Sequence, residues 1–269
     1  MSEKTLVSLI DSNFAGRDVL NMPGVDFGWC TENKLISKHV FFTDYKLNYV
    51  DKIKHNNIKK VAWLVEPRAI VPNSYSYIEQ HYYKFDYILS FDENICRLPN
   101  ALYAPYGTYW VKKTDKQKTK KISMIASNKG WTEGHKIRLS CVDNVTGIDY
   151  YGACVGKKIK EKNEGLDDYM FSVAIENSIQ DTYFTEKIID CFATKTAPIY
   201  WGTKNISKFF NKDGIIFFNT IDELKNILNN LTREKYESMK HAIDENYNAV
   251  GGFHIPEQYI QRNYNFLLN

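Results

Sequence analysis

The chain has 269 residues, of which 43% are hydrophobic and 25% charged, a composition typical of soluble globular proteins and a length sufficient for two domains. Lys and Arg number 35 against 32 for Asp and Glu, a net charge of +3, which gives no reason to expect a nucleic-acid partner. The 5 cysteines form no C-x-x-C pair, the N-terminal residues do not follow the pattern of a secretory signal, and no apolar run approaches a membrane span, so we expect a reducing compartment.

The first half of the chain alternates between short apolar runs and amphipathic segments. The apolar runs predict strands at residues 4–10, 39–43, 60–65, 86–90 and 102–104. Helical spacing predicts helices at residues 46–54 and 75–83. This alternation indicates an α/β unit with a parallel sheet.

A lysine-rich segment at residues 109–121 follows, where the apolar content falls. We interpret it as a solvated linker rather than as a phosphate- or lipid-binding patch. Beyond it the alternation resumes, with strands predicted at residues 122–126, 150–152, 171–175, 197–200 and 214–218 and helices at 135–142, 186–193, 221–231 and 233–247. The second half is therefore predicted to be doubly wound, with ligands bound outside the carboxyl ends of its strands.

The linker suggests a division into an N-terminal α/β domain at 1–111, a C-terminal α/β domain at 112–250, and a tail at 251–269. The tail is helical in character, and packing back on the N-terminal domain is one arrangement that it allows. Two α/β domains would enclose a cleft suited to two substrates. The alternative is one large sheet that runs through both halves.

The stretch from residue 171 to 202 carries the most chemistry. An apolar strand run stops at Glu176-Asn177-Ser178, and Thr185-Glu186-Lys187 then opens a helix, whose N-terminus attracts anions. Lys187 is suited to neutralise phosphate charge, and the Glu186 carboxylate is suited to accept hydrogen bonds from ribose hydroxyls. The simpler alternative is that Glu186 is favoured by the helix dipole and Lys187 is a surface lysine.

A collinear set of motifs resembles the α-1,3/α-1,4-fucosyltransferases, glycosyltransferase family 10. Residues 176–187 read ENS followed by YFTEK and 197–202 read APIYWG, which resembles the donor-binding pattern of that family. Further matches are VEP at 65–67, FDYILS at 85–90, PYG at 105–107, SN at 127–128 with Arg138 downstream, and YGAC at 151–154.

The resemblance implies a GT-B architecture, two Rossmann-like α/β domains facing each other across a cleft, with GDP-fucose as donor and inversion at the anomeric carbon. It implies that 1–111 is the acceptor-side domain and 112–250 the donor-binding domain. It implies these roles by position: the pyrophosphate is held by Arg138 and Lys187, the ribose by Glu186, and the rest of the donor pocket is formed by Asn177, Tyr183, Ser127 and Asn128. Glu66 becomes the candidate general base, although capping the turn before Pro67 is an alternative role for it. The implied acceptor is a hydroxyl of an N-acetylglucosamine- or glucose-type residue in an oligosaccharide or glycolipid.

The chemistry also bears on cofactors and compartment. Because lysine, arginine and a helix N-terminus can stabilise a leaving diphosphate, and no Asp-x-Asp pattern is present, we expect a divalent metal to be dispensable. The expected location is the cytoplasm of a bacterial or virus-infected cell, which allows peripheral association with a membrane. The alternatives are a related GT-B transferase for another nucleotide sugar, or a non-catalytic binding protein for glycans or nucleotide sugars.

Two further predictions concern basic side chains near these motifs. His135 is predicted to lie on a helix surface rather than to touch a phosphate. The lysines at 157, 158, 160 and 162 are predicted to form a solvated loop, with attraction to an anionic membrane as the alternative.

Overall fold

The computed structural model describes residues 4–11, 20, 22–31, 35–55 and 57–269. The chain divides into two compact units, the first made of Met1–Tyr106 and Ile255–Asn269 and the second of Gly107–His254. The boundary between them lies a few residues before the predicted one at 111, and Ile255–Asn269 belongs to the first unit.

The first unit contains a parallel sheet of six strands. They are β1 (Thr5–Ile10), β2 (Phe27–Cys30), β3 (His39–Thr43), β4 (Lys59–Trp63), β5 (Tyr87–Ser90) and β6 (Ala101–Tyr103), in the order β2-β1-β3-β4-β5-β6. The five strands predicted in this half are confirmed with small shifts at their ends. Strand β2 was not predicted, because its four residues are too few to establish a period.

Two helical segments accompany this sheet. Helix α1 (Pro72–His81) overlaps the predicted helix at 75–83 and begins three residues earlier, at a proline, a residue that suits the first turn. The α-helix predicted at 46–54 is wrong, because Asp44–Lys52 is a 3₁₀ helix. Its buried residues, Asp44, Leu47 and Val50, recur every three positions, which is the period of a 3₁₀ helix.

The C-terminal segment contributes to the core of the first unit. Helix α7 (Pro256–Tyr264) begins at a proline, and Ile255, Ile260, Leu267 and Leu268 pack into the same apolar cluster as residues of the sheet. The buried Glu257 accepts a hydrogen bond of 3.1 Å from the indole nitrogen of Trp29 in β2.

The second unit contains a parallel sheet of five strands. They are β7 (Lys120–Ile125), β8 (Asp149–Tyr151), β9 (Tyr169–Ile175), β10 (Ala197–Trp201) and β11 (Ile216–Phe217), in the order β11-β10-β9-β7-β8. Every residue of the central strand β9 is buried, as expected for a strand covered on both faces. The predicted α/β class is confirmed, and two separate sheets replace the alternative of one large sheet.

The helices of the second unit are α2 (Glu133–Asn144), α3 (Glu186–Ala193), α4 (Ile221–Asn229), α5 (Arg233–Ser238) and α6 (Lys240–Ala249). Helix α3 has the predicted bounds. The single helix predicted at 233–247 is wrong, since the chain forms α5 and α6 with Met239 between them. Met239 is buried in the apolar cluster against one face of the sheet, a tertiary contact that the sequence does not reveal.

The prediction of a solvated linker at 109–121 is wrong for part of that segment. Lys118 is buried, and its ammonium donates to the carbonyls of Leu166, Asp167 and Thr194 at 3.3, 2.8 and 2.6 Å and to Oγ1 of Thr196 at 3.1 Å. Burial lowers the pKa of Lys118 to about 8. Lysine at this position therefore ties the segment to the unit instead of solvating it.

Candidate active site

The carboxyl end of β9 is joined to the start of α3 by one buried carboxylate. Glu176 accepts hydrogen bonds from the backbone N–H of Thr185 at 2.9 Å and from its hydroxyl at 2.7 Å, and Nζ of Lys187 lies 3.8 Å from its Oε2. Thr185 is the N-cap of α3, and its hydroxyl accepts from the N–H of Lys187. This contact explains why the acidic residue follows the strand directly. Burial raises the pKa of Glu176 and outweighs the opposite effect of Lys187.

The first turn of α2 packs against the same strand end. The N–H of Gly134 donates to the carbonyl of Asn177 at 3.1 Å, and a Cβ placed on Gly134 would lie 1.7 Å from the carbonyl oxygen of Glu176. Only glycine permits this approach, because any other side chain begins with a carbon at that point. The next turn of the helix, which carries Arg138, therefore lies at the end of β9.

Arg138 is buried and fixed by that strand end. Its Nε and Nη2 donate to the carbonyl of Ile175 at 3.0 and 2.7 Å, and Nη2 also donates to Oδ1 of Asn177 at 2.8 Å. Nδ2 of Asn177 donates to the hydroxyl of Tyr183 at 3.4 Å. Burial lowers the pKa of Arg138 against the effect of Glu176. In the part of the chain that the structure describes, Nη1 makes no hydrogen bond.

Glu186 and Lys187 open helix α3 and contact each other. Nζ of Lys187 lies 3.2 Å from Oε1 of Glu186 and 3.1 Å from the hydroxyl of Thr185. Lys162 approaches the same Oε1 at 3.5 Å, so Glu186 has two cationic partners. Burial alone would raise the pKa of Glu186, but Lys187 and Lys162 outweigh it and lower the pKa to about 2. Glu186 is therefore an ionised acceptor at neutral pH.

The structure brings most of the predicted donor residues to one edge of the second sheet. Arg138, Asn177 and Tyr183 form one group of contacts, and Glu186 with Lys187 forms a second. The chain that follows β9 connects the two groups. Ser127 and Asn128 follow β7, which pairs with β9, and they are half-buried and exposed respectively. Neither has a side-chain hydrogen bond to the cluster among the described residues.

Glu66 belongs to the first unit. It follows β4 by three residues and is half-buried. The carboxylate of Asp44 accepts from the N–H groups of Val65 and Glu66 at 2.9 and 3.1 Å, and the hydroxyl of Tyr75 donates to the carbonyl of Glu66 at 3.0 Å. These three contacts are made by backbone atoms of Val65 and Glu66, and they fix the backbone at Glu66.

Two basic side chains differ from their predicted environments. His135 is buried rather than on a helix surface. Its Nδ1 accepts from the backbone N–H of Thr132 at 3.2 Å, and the backbone N–H of His135 donates to the Thr132 hydroxyl at 3.2 Å. Lys162 is not part of the solvated loop, since its ammonium forms ion pairs with Glu186 and Asp190. Lysines 157, 158 and 160 are exposed, as predicted.

Some residues of the site had no predicted role. Glu176, Lys162 and Asp190 were not named as site residues, although all three contact the start of α3 or lie on it. A strand-terminal acid such as Glu176 is a signal that sequence reasoning could have used, because buried carboxylates require partners. Lys162 gave no such signal, since its partners are more than twenty residues away in sequence.

Comparison with known proteins identifies the family. Residues 115–255, more than half of the chain, match the C-terminal part of glycosyltransferase family 10 (fucosyltransferase). The chain belongs to glycosyltransferase family 10. The family match covers Arg138, the segment from Glu176 to Lys187 and Lys162, so the cluster at the carboxyl end of β9 lies within it.

Individual relatives agree with this assignment. The chain is 32% identical over 117 residues to the alpha-(1,3)-fucosyltransferase FucT of Helicobacter pylori, a match that covers 42% of this chain and 24% of that protein. It is 30% identical over 86 residues to an alpha-(1,4)-fucosyltransferase of Arabidopsis thaliana, covering 28% of this chain and 21% of the relative. The matched segments thus span about a quarter or less of each relative's length.

Solved structures match the fold across nearly the whole chain. An alpha1,3-fucosyltransferase with GDP-fucose has a TM-score of 0.61 at 18% identity, covering 99% of this chain and 91% of that one. The same comparison with an alpha1,3-fucosyltransferase with GDP gives a TM-score of 0.60 at 19% identity, with coverage of 100% and 92%. At this identity the likeness establishes the GT-B fold and no more, which confirms the predicted fold class.

No helix among the described residues has the length and apolarity needed to cross a bilayer. Within the same residues, no group of three or more His, Cys, Asp or Glu side chains is placed to hold a metal ion. The five cysteines, all of which are described, are free thiols.

Proposed function

We propose that the chain is an inverting glycosyltransferase that transfers L-fucose from GDP-fucose to a hydroxyl of an N-acetylglucosamine- or glucose-type residue, in α-1,3 or α-1,4 linkage. The observation that carries this proposal is the cluster at the carboxyl end of β9, where Arg138 is bound to the strand end and Glu176 contacts Lys187 in the first turn of α3. Two fixed cations and a helix N-terminus suit a diphosphate. Membership in the fucosyltransferase family supports the choice of donor.

In this proposal the donor residues divide between the parts of GDP-fucose. Lys187 and the Nη1 of Arg138 bind the diphosphate, and Glu186 accepts hydrogen bonds from the ribose hydroxyls. The side chains that complete the pocket are Asn177, Tyr183, Ser127 and Asn128. Because negative charge develops on the leaving diphosphate, cations held in place before the reaction lower the barrier. A divalent metal is then dispensable, because the side chains and the N-terminus of α3 hold the donor.

Glu66 is the general base of the proposed reaction. Its carboxylate accepts the proton of the acceptor hydroxyl while the hydroxyl oxygen bonds to the anomeric carbon of fucose. The bond from that carbon to the phosphate oxygen breaks, and GDP leaves with the bonding electrons. One displacement of this kind inverts the anomeric configuration. The support for this role is the position of Glu66 after β4 and a backbone that Asp44 and Tyr75 fix.

We further propose an oligosaccharide or glycolipid as the acceptor, and a cytoplasmic location with peripheral association with membranes. The exposed lysines at 157, 158 and 160 support the membrane association, because each basic side chain near an anionic surface adds attraction.

The test is a donor-by-acceptor activity array read by mass spectrometry, with GDP-fucose, GDP-mannose and UDP-sugars as donors and each reaction run with and without EDTA. We expect transfer from GDP-fucose that EDTA does not reduce. Lys187→Met, examined by calorimetry, should weaken GDP binding by roughly 10- to 100-fold because a charge-assisted contact is lost. Transfer from a UDP-sugar alone, or an unchanged GDP affinity in the variant, would reject the assignment.

A further inference from the structure

Lys162 occupies a position between the start of α3 and an aromatic side chain. Its Nζ lies 2.9 Å from Oδ2 of Asp190 and 3.5 Å from Oε1 of Glu186, and 4.4 Å from the ring centroid of Trp110. Asp190 is one helical turn after Glu186, and both carboxylates are buried. Oδ1 of Asp190 accepts from the backbone N–H of Trp110 at 2.6 Å. The ammonium of Lys162 is thus contacted by Asp190, Glu186 and the ring of Trp110.

Lys162 is also accessible to a ligand. It lines a cavity of about 480 Å³ within the second unit, together with Trp110, Lys112, Lys160, Glu161 and Asn163. About a quarter of its side chain is exposed, at 26%. Lys162 therefore links the buried carboxylates of α3 to a space that a small molecule can enter.

Lys187 has two partners in the proposed complex, Glu186 and the diphosphate, and this makes the contact between Lys162 and Glu186 important. Glu186 has two cationic partners, Lys187 and Lys162, which contact the same oxygen. If Lys187 turns toward a diphosphate, it gives up part of its attraction to Glu186. Glu186 would then be a buried carboxylate beside the buried acids Glu176 and Asp190, a situation that favours protonation or displacement of the carboxylate. Lys187 alone cannot fully neutralise both the Glu186 carboxylate and the diphosphate.

We propose that Lys162 is a positioning residue that keeps the Glu186 carboxylate ionised and oriented toward the ribose while Lys187 binds the diphosphate. This inference rests on the proposed function, because it assumes a nucleoside diphosphate in the site. Asp190 and Trp110 hold the lysine from the other side, so Lys162 is fixed before the ligand arrives. Charges arranged in advance bind more tightly than charges that must be gathered during binding.

The experiment compares the binding of GDP with that of 2′,3′-dideoxy-GDP, which lacks the ribose hydroxyls, by calorimetry. The unmodified protein should prefer GDP. Lys162→Met should weaken GDP by about tenfold and change dideoxy-GDP by less than about twofold, because only the ribose contact depends on Glu186. A lysine that merely supports the fold would weaken both ligands equally. Lys162→Arg, which keeps the charge, should retain the preference.

Three further variants keep the result interpretable. Lys162→Met leaves Asp190 buried without its cation, which destabilises the fold. The double variant Lys162→Met/Asp190→Asn removes this unpaired charge and should show the same loss of preference for GDP. Asp190→Asn alone keeps the Lys162 contact with Glu186 and should retain the preference for GDP. Lys160→Met is the matched control, since Lys160 is exposed and lines the same cavity.

The outcomes separate this inference from the proposed function. Equal losses for both ligands, or no loss for either, would overturn the positioning role while GDP binding itself stands. An unmodified protein that binds GDP and dideoxy-GDP equally well would overturn the ribose role of Glu186 and with it the inference. Failure of the unmodified protein to bind GDP at all would overturn both.

Discussion

Two buried glutamates, Glu176 and Glu186, differ sharply in their protonation behaviour. Burial is the largest influence on both, yet the pKa of Glu176 is raised while that of Glu186 is lowered to about 2. The difference arises from their partners, since Glu186 lies beside two lysines and Glu176 mainly binds the hydroxyl and N–H of Thr185. Glu176 thus connects β9 to the start of α3, and Glu186 stays ionised, as the proposed ribose contact requires.

Replacement of Glu66 by Gln tests the proposed base. We expect turnover to fall by roughly 10²- to 10⁴-fold, because glutamine cannot accept the proton of the acceptor hydroxyl. The affinity for GDP should stay unchanged, and the backbone contacts with Asp44 and Tyr75 are retained. Initial rates and calorimetric GDP titrations measure the two quantities. Glu93→Gln, at an exposed position after β5, is the control, and equal rates in the Glu66 and Glu93 variants would remove Glu66 from the mechanism.

His135 should make stability depend on pH. Burial, assisted by Arg138, Lys129 and Lys187, lowers the pKa of His135 from 6.5 to about 4. The unfolded chain therefore binds this proton more readily, so the contribution is present above pH 6.5 and is lost as the pH falls to about 4. Protonation would also place an N–H on the Nδ1 that accepts from Thr132. The loss should be on the order of 1–3 kcal/mol.

The measurement for His135 is urea unfolding at several pH values between 7 and 4. His135→Gln should be less stable at pH 7 and should lose less stability on acidification than the unmodified protein. His241→Gln provides the comparison, because His241 is 87% exposed. A His135→Gln curve parallel to that of the unmodified protein would show that other groups cause the acid sensitivity.

At the scale of elements, the site depends on how closely α2 approaches β9. The contact distance of 1.7 Å for a Cβ at Gly134 is far below any tolerated separation, so the helix must move if a side chain is added. The same helix carries His135 and Arg138, whose hydrogen bonds to Thr132 and Ile175 hold the turn in place. A shift of α2 would therefore disturb the proposed diphosphate contact of Arg138.

Gly134→Ala tests this approach. We expect a loss of roughly 2–4 kcal/mol in unfolding free energy from steric strain at the backbone, together with weaker GDP binding as Arg138 is displaced. Gly130→Ala is the matched control in the preceding loop, where an added Cβ would meet a Leu139 methyl at an ordinary 3.7 Å. Denaturant titration and calorimetry provide the data. Equal stabilities for the two alanine variants would mean that α2 adapts without cost.

The elements also show what the sequence could and could not predict. The positions of β9 and α3 followed from an apolar run and from helical spacing, and the rule that ligands bind at strand carboxyl ends led to Glu186 and Lys187. The buried environments of Lys118 and Lys162 could not be predicted, because their acceptors are distant in sequence. The break between α5 and α6 at Met239 could not be predicted either, because neither glycine nor proline marks it.

At the scale of the whole molecule, the two units differ in how much the sequence disclosed. The family match covers residues 115–255, which lie almost entirely in the second unit, and the proposed donor residues were named from motifs in that unit. The first unit lies outside that match apart from Ile255, and Glu66 was named from a short motif and its place after a strand.

The C-terminal segment offers a test at this scale, because it follows the second unit in sequence but belongs to the first. A chain that ends at His254 would lose Ile255, Ile260, Leu267 and Leu268 from the core of the first unit, and Trp29 would lose its buried acceptor. At about 1.5–3 kcal/mol for each buried apolar side chain, the loss is about 6–12 kcal/mol as an upper estimate, which is comparable with the stability of a whole domain.

We therefore expect the truncated chain to unfold in its first unit and to keep the second. Hydrogen exchange followed by mass spectrometry should show lost protection in β1 to β6 and retained protection in β7 to β11, and calorimetry should show GDP binding that persists, since the proposed GDP contacts lie in Gly107–His254. Asn263→Ala, a change at an exposed position of α7, should leave both units protected. Loss of protection in both sheets on truncation would mean that the two units do not fold independently, and GDP binding should then disappear together with the protection.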